Sequence, residues 1–373
     1  MSGIKTSAVD EALRWITDQA LADPEIAFVA AKAAAMVEVY AAKTADIVIG
    51  IQSMEEWYEL PVVNPRSARQ RKAGYTHAGY LDGVFKGSFA GREGTFVLER
   101  KTCDQDIGQD SSYWNRLRLN HQLDEYALAY WQQNNVLVDG VIYDVLRQPS
   151  ISPREITLGE LSMMSSGGEG TYFGRPVRES SRKIADCFVE EKNRFAAEKK
   201  NHATDKKKNP ALADFMGIAP EQPRETPHLF RLRCLASLEA KPEAYFAQKF
   251  VAKSEIELLD YAEELWSLSG LVDECQDKGS SPRNPNACFN FNSTCEYIGL
   301  CTGTESEDSS RWDRKEIKNA TRLSQSRLSC FQQCRRKHWF RYVAGIVPVE
   351  RPTTEKQALG SMVHGALEVL WRH

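Results

Sequence analysis

The pattern of apolar and polar positions changes rhythm several times along the chain. Up to about residue 60 it is helical, and AFVAAKAAAMVEVYAAK (27–43) is alanine-rich with no breaker. PVVNPRSARQRKAG (61–74) interrupts this with two prolines, and GYTHAGYLDGVF (74–85) reads as a strand ending near Asp82 and Gly83. The turn-forming GSFAGREG (87–94) leads into a second strand, GTFVLERKTC (94–103), so the pair predicts a hairpin with Asp82 on one arm and Glu99 on the other. After a loop carrying Asp104, Asp106 and Asp110, WNRLRLNHQLDEYALAYWQQN (114–134) is helical and LVDGVIYDVLRQP (137–149) is β-rich.

The second half is more helical. Residues 150–174 are rich in Ser and Gly and predict a loop, and Arg178 to Lys208 forms a charged, exposed helix. Another helical stretch covers 239–268, with Leu258, Leu259, Tyr261, Leu265 and Trp266 on its apolar face. A cysteine-bearing loop, PRNPNACFNFNSTCEYIGLC (282–301), precedes the polar connector TGTESEDSSRWDRKEIKNA (302–320). Beyond it the chain is helical to its last residues, and no internal repeat is visible. The expected organisation is a body over 1–301, a connector over 302–320 and a final segment over 321–373 packing back on the body.

A chain of 373 residues, 42% hydrophobic, can form one large domain or two ordinary ones. No apolar run reaches the ~18 residues needed to span a bilayer, and the start lacks the apolar core of an export signal. A cytoplasmic protein is expected, with no membrane partner. The formal net charge of −3 argues against a generally basic surface but allows a local positive groove. The basic clusters are Arg66, Arg69, Arg71 and Lys72; Lys199 and Lys200 with Lys206 to Lys208; and Arg335 to Lys337. Each taken alone reads as a solvated face before a nucleic-acid contact. Nine cysteines without an export signal suggest thiols or metal ligands in preference to disulfides.

Candidate chemistry centres on the hairpin. Glu99 and Lys101 share a strand face, which could simply be a strand end reaching water. With Asp82 on the adjacent arm, the two carboxylates suit Mg²⁺ or Mn²⁺ and the lysine could orient or deprotonate an attacking water. Gln122 and Tyr126, four residues apart, lie on one face of the next helix with polar ends able to reach a phosphate or a base.

These residues resemble a family. GYLDG, VLERK and HQLDEYALA are similar to the core of the PD-(D/E)xK nuclease superfamily, in particular the D…ExK…QxxxY pattern of its RecB-like branch. SQSRLSCFQQCRRKHWFRY (324–342) resembles the SxSxLxxFxxC segment that opens such nucleases, with Ser324, Ser326, Leu328, Phe331 and Cys334 on its positions. GSMVHGALE (360–368) resembles the GxxxHxxLE helix, which would make His364 a further metal ligand. The resemblance implies an α/β fold with a small mixed sheet flanked by helices. It also implies metal held by His364, Asp82, Glu99 and the backbone carbonyl of Arg100. It further implies a [4Fe–4S] cluster on Cys288, Cys295, Cys301 and Cys334; structural Zn²⁺ or buried thiols are the alternatives. Cys103, Cys187, Cys234, Cys275 and Cys330 remain ordinary thiols.

The motif order departs from the family's. There the SxSxLxxFxxC and GxxxHxxLE pieces come first, whereas here they come last. Placing 305–373 ahead of Met1 restores the family order, which suggests a circular permutation; the alternative is that 305–373 opens a truncated second copy. The expected function is a metal-dependent DNA exonuclease of recombination, repair or mobile-element (phage) type, acting on single-stranded or duplex ends, with a helicase or recombination partner conceivable. The rivals are a nuclease-derived subunit that binds DNA or protein without cutting, expected to lack an acid or the lysine, and a cysteine cluster acting as a redox sensor.

Overall fold

In the computed structural model the described residues are 6–44, 49–214, 216–290, 293–349 and 354–372. The chain opens with helices α1 (Thr6–Ala22) and α2 (Ala27–Thr44). Strands β1 (Ile49–Pro61), β2 (Thr76–Phe89) and β3 (Arg92–Cys103) follow, then α3 (His121–Asn134) and β4 (Gly140–Arg147). Next come α4 (Leu158–Met164), the small hairpin β5 (Thr171–Tyr172) and β6 (Arg175–Pro176), α5 (Glu179–Lys208), α6 (Pro227–Ala240), β7 (Phe246–Val251) and α7 (Glu255–Asp277). The last part holds β8 (Phe289–Asn290), β9 (Ser293–Thr294), α8 (Ile298–Thr302), β10 (Trp312–Arg314), β11 (Arg322–Leu323), α9 (Gln325–Gln333), α10 (Arg335–Tyr342), β12 (Ile346–Pro348) and α11 (Glu355–Arg372).

The main sheet has the order β1-β2-β3-β4-β7, with β11 beside β2. Its pairs are antiparallel except β3 with β4 and β11 with β2, so the sheet is mixed, as expected. Helix α3 makes the crossover that two parallel neighbours require. The β2–β3 turn is two residues, Ala90 and Gly91, both at positive φ (50° and 76°), the backbone that matches hairpin twist.

Alternation along the strands divides the two faces. Tyr58, Leu81, Val97 and Val141 bury against Leu123, Tyr126 and Ala127 of α3. On the opposite face Phe85, Phe96 and Ile142 form a second layer. Next to it α2 runs with small or apolar residues nearly all round, the pattern of a helix enclosed by others. Ala8, Ala12 and Ile16 of α1, Met36 and Val37 of α2, Leu229 and Leu235 of α6, and Val363, Ala366 and Leu367 of α11 share one core. The final helix is therefore an integral wall of the body. Lys32 on α2 also pairs with Glu355 on α11 at 3.0 Å.

Several expectations need correction. The first sixty residues are not all helical, because Ile49–Pro61 is strand β1. Its EEWYEL stretch carries too many acids to read as a strand alone, and pairing with β2 supplies the backbone bonds. The loop expected over 150–174 contains α4, started by a Thr157–Glu160 capping box, and the β5–β6 hairpin. The helical stretch expected over 239–268 is interrupted by β7, whose six residues are held by the edge of β4. Residues 302–320 are mostly exposed, yet Trp312 is buried and stacks on Tyr297, ring centroids 5.3 Å apart. A permuted order also calls for Met1 near His373, and both positions lie outside the described residues.

Candidate active site

The β2–β3 ladder runs from the turn to Gly83 opposite Leu98. Just past that point Oδ2 of Asp82 accepts a hydrogen bond from the backbone N–H of Arg100 at 2.7 Å, so the side chain occupies the gap where the strands part. Glu99 and Arg100 then point to opposite faces. Arg100 is buried toward α2, with Nε 3.4 Å from Oδ2 of Asp144, which also accepts a 2.6 Å bond from the hydroxyl of Tyr40. Its side chain is structural.

Glu99 is 0% exposed and its Oε1 pairs with Nζ of Lys101, whose side chain is 37% exposed. Oε2 has no hydrogen-bond partner among the described residues. Burial, and secondarily the charge of Asp82, push the Glu99 carboxyl up to about 8, with Lys101 opposing. A buried acid left half-satisfied is costly, and a divalent cation is one group that would satisfy it.

Beneath the acids, α3 begins with Asn120 accepting from the backbone N–H of Gln122 at 3.0 Å. One turn apart, Gln122 Nε2 donates to the hydroxyl of Tyr126 at 2.9 Å. Burial, then the charges of Glu99 and Asp82, hold the Tyr126 hydroxyl protonated and thus able to donate.

His364 reaches the same place from α11. Burial lowers its pKa, and the charge of Asp82 opposes that shift, with Arg100, Lys101 and Asp144 also acting on the ring. Gly360, one turn earlier, explains how the helix comes so close: a Cβ there would lie 2.8 Å from Oγ1 of Thr102 on β3. With Thr102, Cys103, Asp104 and Ser361, His364 lines an open cleft of about 510 Å³. Lys356 pairs with Asp104 at the rim, and its backbone carbonyl accepts from Gln148 at 3.1 Å.

The fold thus gathers Asp82, Glu99, Lys101, Gln122, Tyr126 and His364 around one region. They do not form a closed cage, since among the described residues no three His, Cys, Asp or Glu side chains converge closely enough to hold a metal ion as they stand. One acid was missed. Glu55, at φ 50° in β1, sits in the interval where Met54 pairs with Gly83 and Glu56 with Leu81. Burial, then the charges of Asp82 and Glu368, push its carboxyl up to about 7. Only the β1–β2 register brings it there.

The cysteines are less tightly gathered. Burial raises the Cys301 thiol, opposed by Arg283 and Arg336, with Cys334 and Cys288 adding to the rise. The N–H of Cys295 donates to the carbonyl of Cys288 at 2.8 Å. The loop is tied to α9 and α10 by Asn284 donating to the carbonyl of Gln333 (2.8 Å) and Arg336 donating to that of Ser281 (2.7 Å). Cys334 therefore neighbours part of the cysteine loop, although its predicted partners do not enclose a metal-sized point. Ser324 caps α9 while Leu328 and Phe331 enter the core, so those motif positions serve folding. Several basic residues are likewise used in packing: Arg71 lies over Trp266 and Arg335 over Phe331.

With this geometry in hand, the comparisons with known proteins fall into place. Residues 322–373 match the model of the PD-(D/E)XK nuclease superfamily. The match runs from β11 through α11, taking in Ser324 and His364 but not Asp82 or Glu99. It implies phosphodiester-cleaving chemistry of nuclease type, which in this superfamily uses divalent metals such as Mg²⁺ or Mn²⁺. No curated protein and no solved structure matches the chain. Among the described residues no helix is long and apolar enough to cross a membrane.

Proposed function

We propose that this chain is a metal-dependent DNA exonuclease of the RecB-like branch, with its motif order circularly permuted. The observation that carries the reading is an imidazole from the matched segment, His364, lying within the electrostatic reach of Asp82 beside the Glu99–Lys101 pair. Asp82, Glu99, His364 and the carbonyl of Arg100 would hold Mg²⁺ or Mn²⁺, hard cations that suit oxygen donors and accept a neutral imidazole. When bound, the ion lowers the proton affinity of ligated water and offsets charge developing on the phosphate. Lys101, half in solvent, orients the attacking water and takes part in its deprotonation. Tyr126 and Gln122 donate hydrogen bonds that position the DNA strand.

The test is digestion of end-labelled single- and double-stranded DNA by purified protein in Mn²⁺ or EDTA. Release of label is expected in Mn²⁺ alone. Asp82→Ala, Glu99→Ala and Lys101→Ala should each lower the rate by about 100-fold or more with an unchanged circular-dichroism spectrum. Near-normal rates in all three would sink the assignment.

For the cysteines the reading is a [4Fe–4S] cluster on Cys288, Cys295, Cys301 and Cys334, supported by a four-thiol donor set and by Cys334 and Cys288 both acting on the Cys301 thiol. Such a cluster would tie the loop to the start of α10. Protein prepared anaerobically is expected to be brown and to lose its visible absorbance on Cys334→Ala. Colourless protein with stoichiometric zinc would assign the thiols to that metal.

A further inference from the structure

Two residues along β2 from Asp82, β1 and β2 carry an aromatic pair that the mechanism above leaves idle. Trp57 is 42% exposed and Tyr80 52%, unusual exposure for rings of this size. They are cross-strand partners, with ring centroids 4.8 Å apart and planes tilted by 59°. Their neighbours Tyr58 and Leu81 face α3, so strand alternation turns Trp57 and Tyr80 to the other side, the side on which Glu55 meets the charge of Glu368 on α11. Tyr80 stands two residues from Asp82, roughly 7 Å along the strand. The guanidinium of Arg322, itself paired with Glu59, lies 5.2 Å from the Trp57 ring and fixes it from behind.

Resting on the nuclease reading, we propose that Tyr80, buttressed by Trp57 and Arg322, is a stacking platform for an unpaired base next to the phosphate being cleaved. The strand gripped is then single-stranded DNA. A flat, exposed ring accepts any base through its π-face, whereas a base inside a duplex has both faces covered by its neighbours. The spacing from Tyr80 to Asp82 is about that between successive nucleotides, so a base on the ring sets its own phosphate near Asp82. The competing explanation, a cross-strand aromatic pair that only stabilises the hairpin, predicts a change in stability and none in base preference.

The experiment measures binding of labelled oligothymidylate about a dozen nucleotides long, against an abasic strand of equal length, by fluorescence anisotropy with Ca²⁺ in place of Mn²⁺. The full-length protein is expected to prefer the base-bearing strand by roughly tenfold. Tyr80→Ala and Trp57→Ala should bring that preference close to unity with abasic binding unchanged, and Tyr80→Phe should keep it. On end-labelled single strands in Mn²⁺, Tyr80→Ala should raise KM and leave kcat alone. Retained preference in Tyr80→Ala, or an equal loss on both strands, would overturn the platform. Wild-type protein that cleaves but ignores Tyr80 removes this inference only; wild-type protein that neither binds nor cleaves removes the nuclease reading with it.

Discussion

Burial raises the proton affinity of both Glu99 and Glu125, but their neighbours differ. Glu99 has Asp82 and Lys101 beside it, whereas Glu125, pushed up to about 7 by burial, has neutral partners: the Tyr58 hydroxyl donates to its Oε1 at 2.9 Å and His77 lies 3.9 Å away. Burial lowers the pKa of His77, so the pair is most stable with the proton on Glu125 and a neutral ring. Glu125 binds its proton more tightly folded than unfolded, so its contribution is full below its unfolded value near 4.5 and is lost as pH rises toward about 7. His77 acts oppositely, weakening the fold as pH falls below its ordinary value near 6.5. Glu125 by itself should lower stability between pH 5 and pH 7.5 by an amount on the order of a few kcal/mol, with Glu99 and Glu55 adding to that fall and His77 opposing it. Glu125→Gln is expected to make the fall shallower by that amount and leave the acid-side loss, as read by melting scans across pH in EDTA. An unaltered slope would mean that another group carries it.

At the scale of elements, the approach of α11 to β3 decides where the imidazole stands. The contact is set by Gly360 against Thr102, while Gly365, where a Cβ would lie 2.5 Å from the Trp15 ring, lets α11 close on α1. Gly360→Val should cost about 1–3 kcal/mol through overpacking and should lower metal-dependent cleavage by more than the lost stability explains, because His364 rides on the same helix. Thr102→Ala in the same chain should recover part of both, measured by denaturant unfolding and by initial rates. Full activity in Gly360→Val would show that helix placement is immaterial to the site. The same scale explains the misread strands. β1 and β7 are short of apolar alternation because one face of each meets polar side chains or solvent, and only their neighbours in the sheet complete their hydrogen bonds.

Across the whole molecule, the helices at the two ends of the described chain pack on each other: Ala12 and Ile16 of α1 share a core with Val363 and Leu367 of α11. If 305–373 and the preceding body are one permuted domain, a chain re-ordered so that 305–373 precedes Met1 should fold with a melting temperature within several degrees of the original and cleave at a similar rate. A re-ordered chain that is unfolded would favour the second-copy reading. By itself the sequence determined the hairpin bearing Asp82, Glu99 and Lys101, the α3 face bearing Gln122 and Tyr126, and the long charged α5, because each depends on periodicity or turn residues within a few positions. The mixed α/β class came from the family resemblance those motifs carry, and the mixed sheet is present. What the tertiary structure decided is the approach of His364 to Asp82, the pairing of Glu55 with the site, the exposure of Trp57 beside Tyr80 and the burial of Trp312 in a segment read as connector. Those depend on strand register and on helix contacts hundreds of residues apart in sequence, where the driving force is burial of apolar surface summed over the whole core, and no local pattern encodes which partner is met.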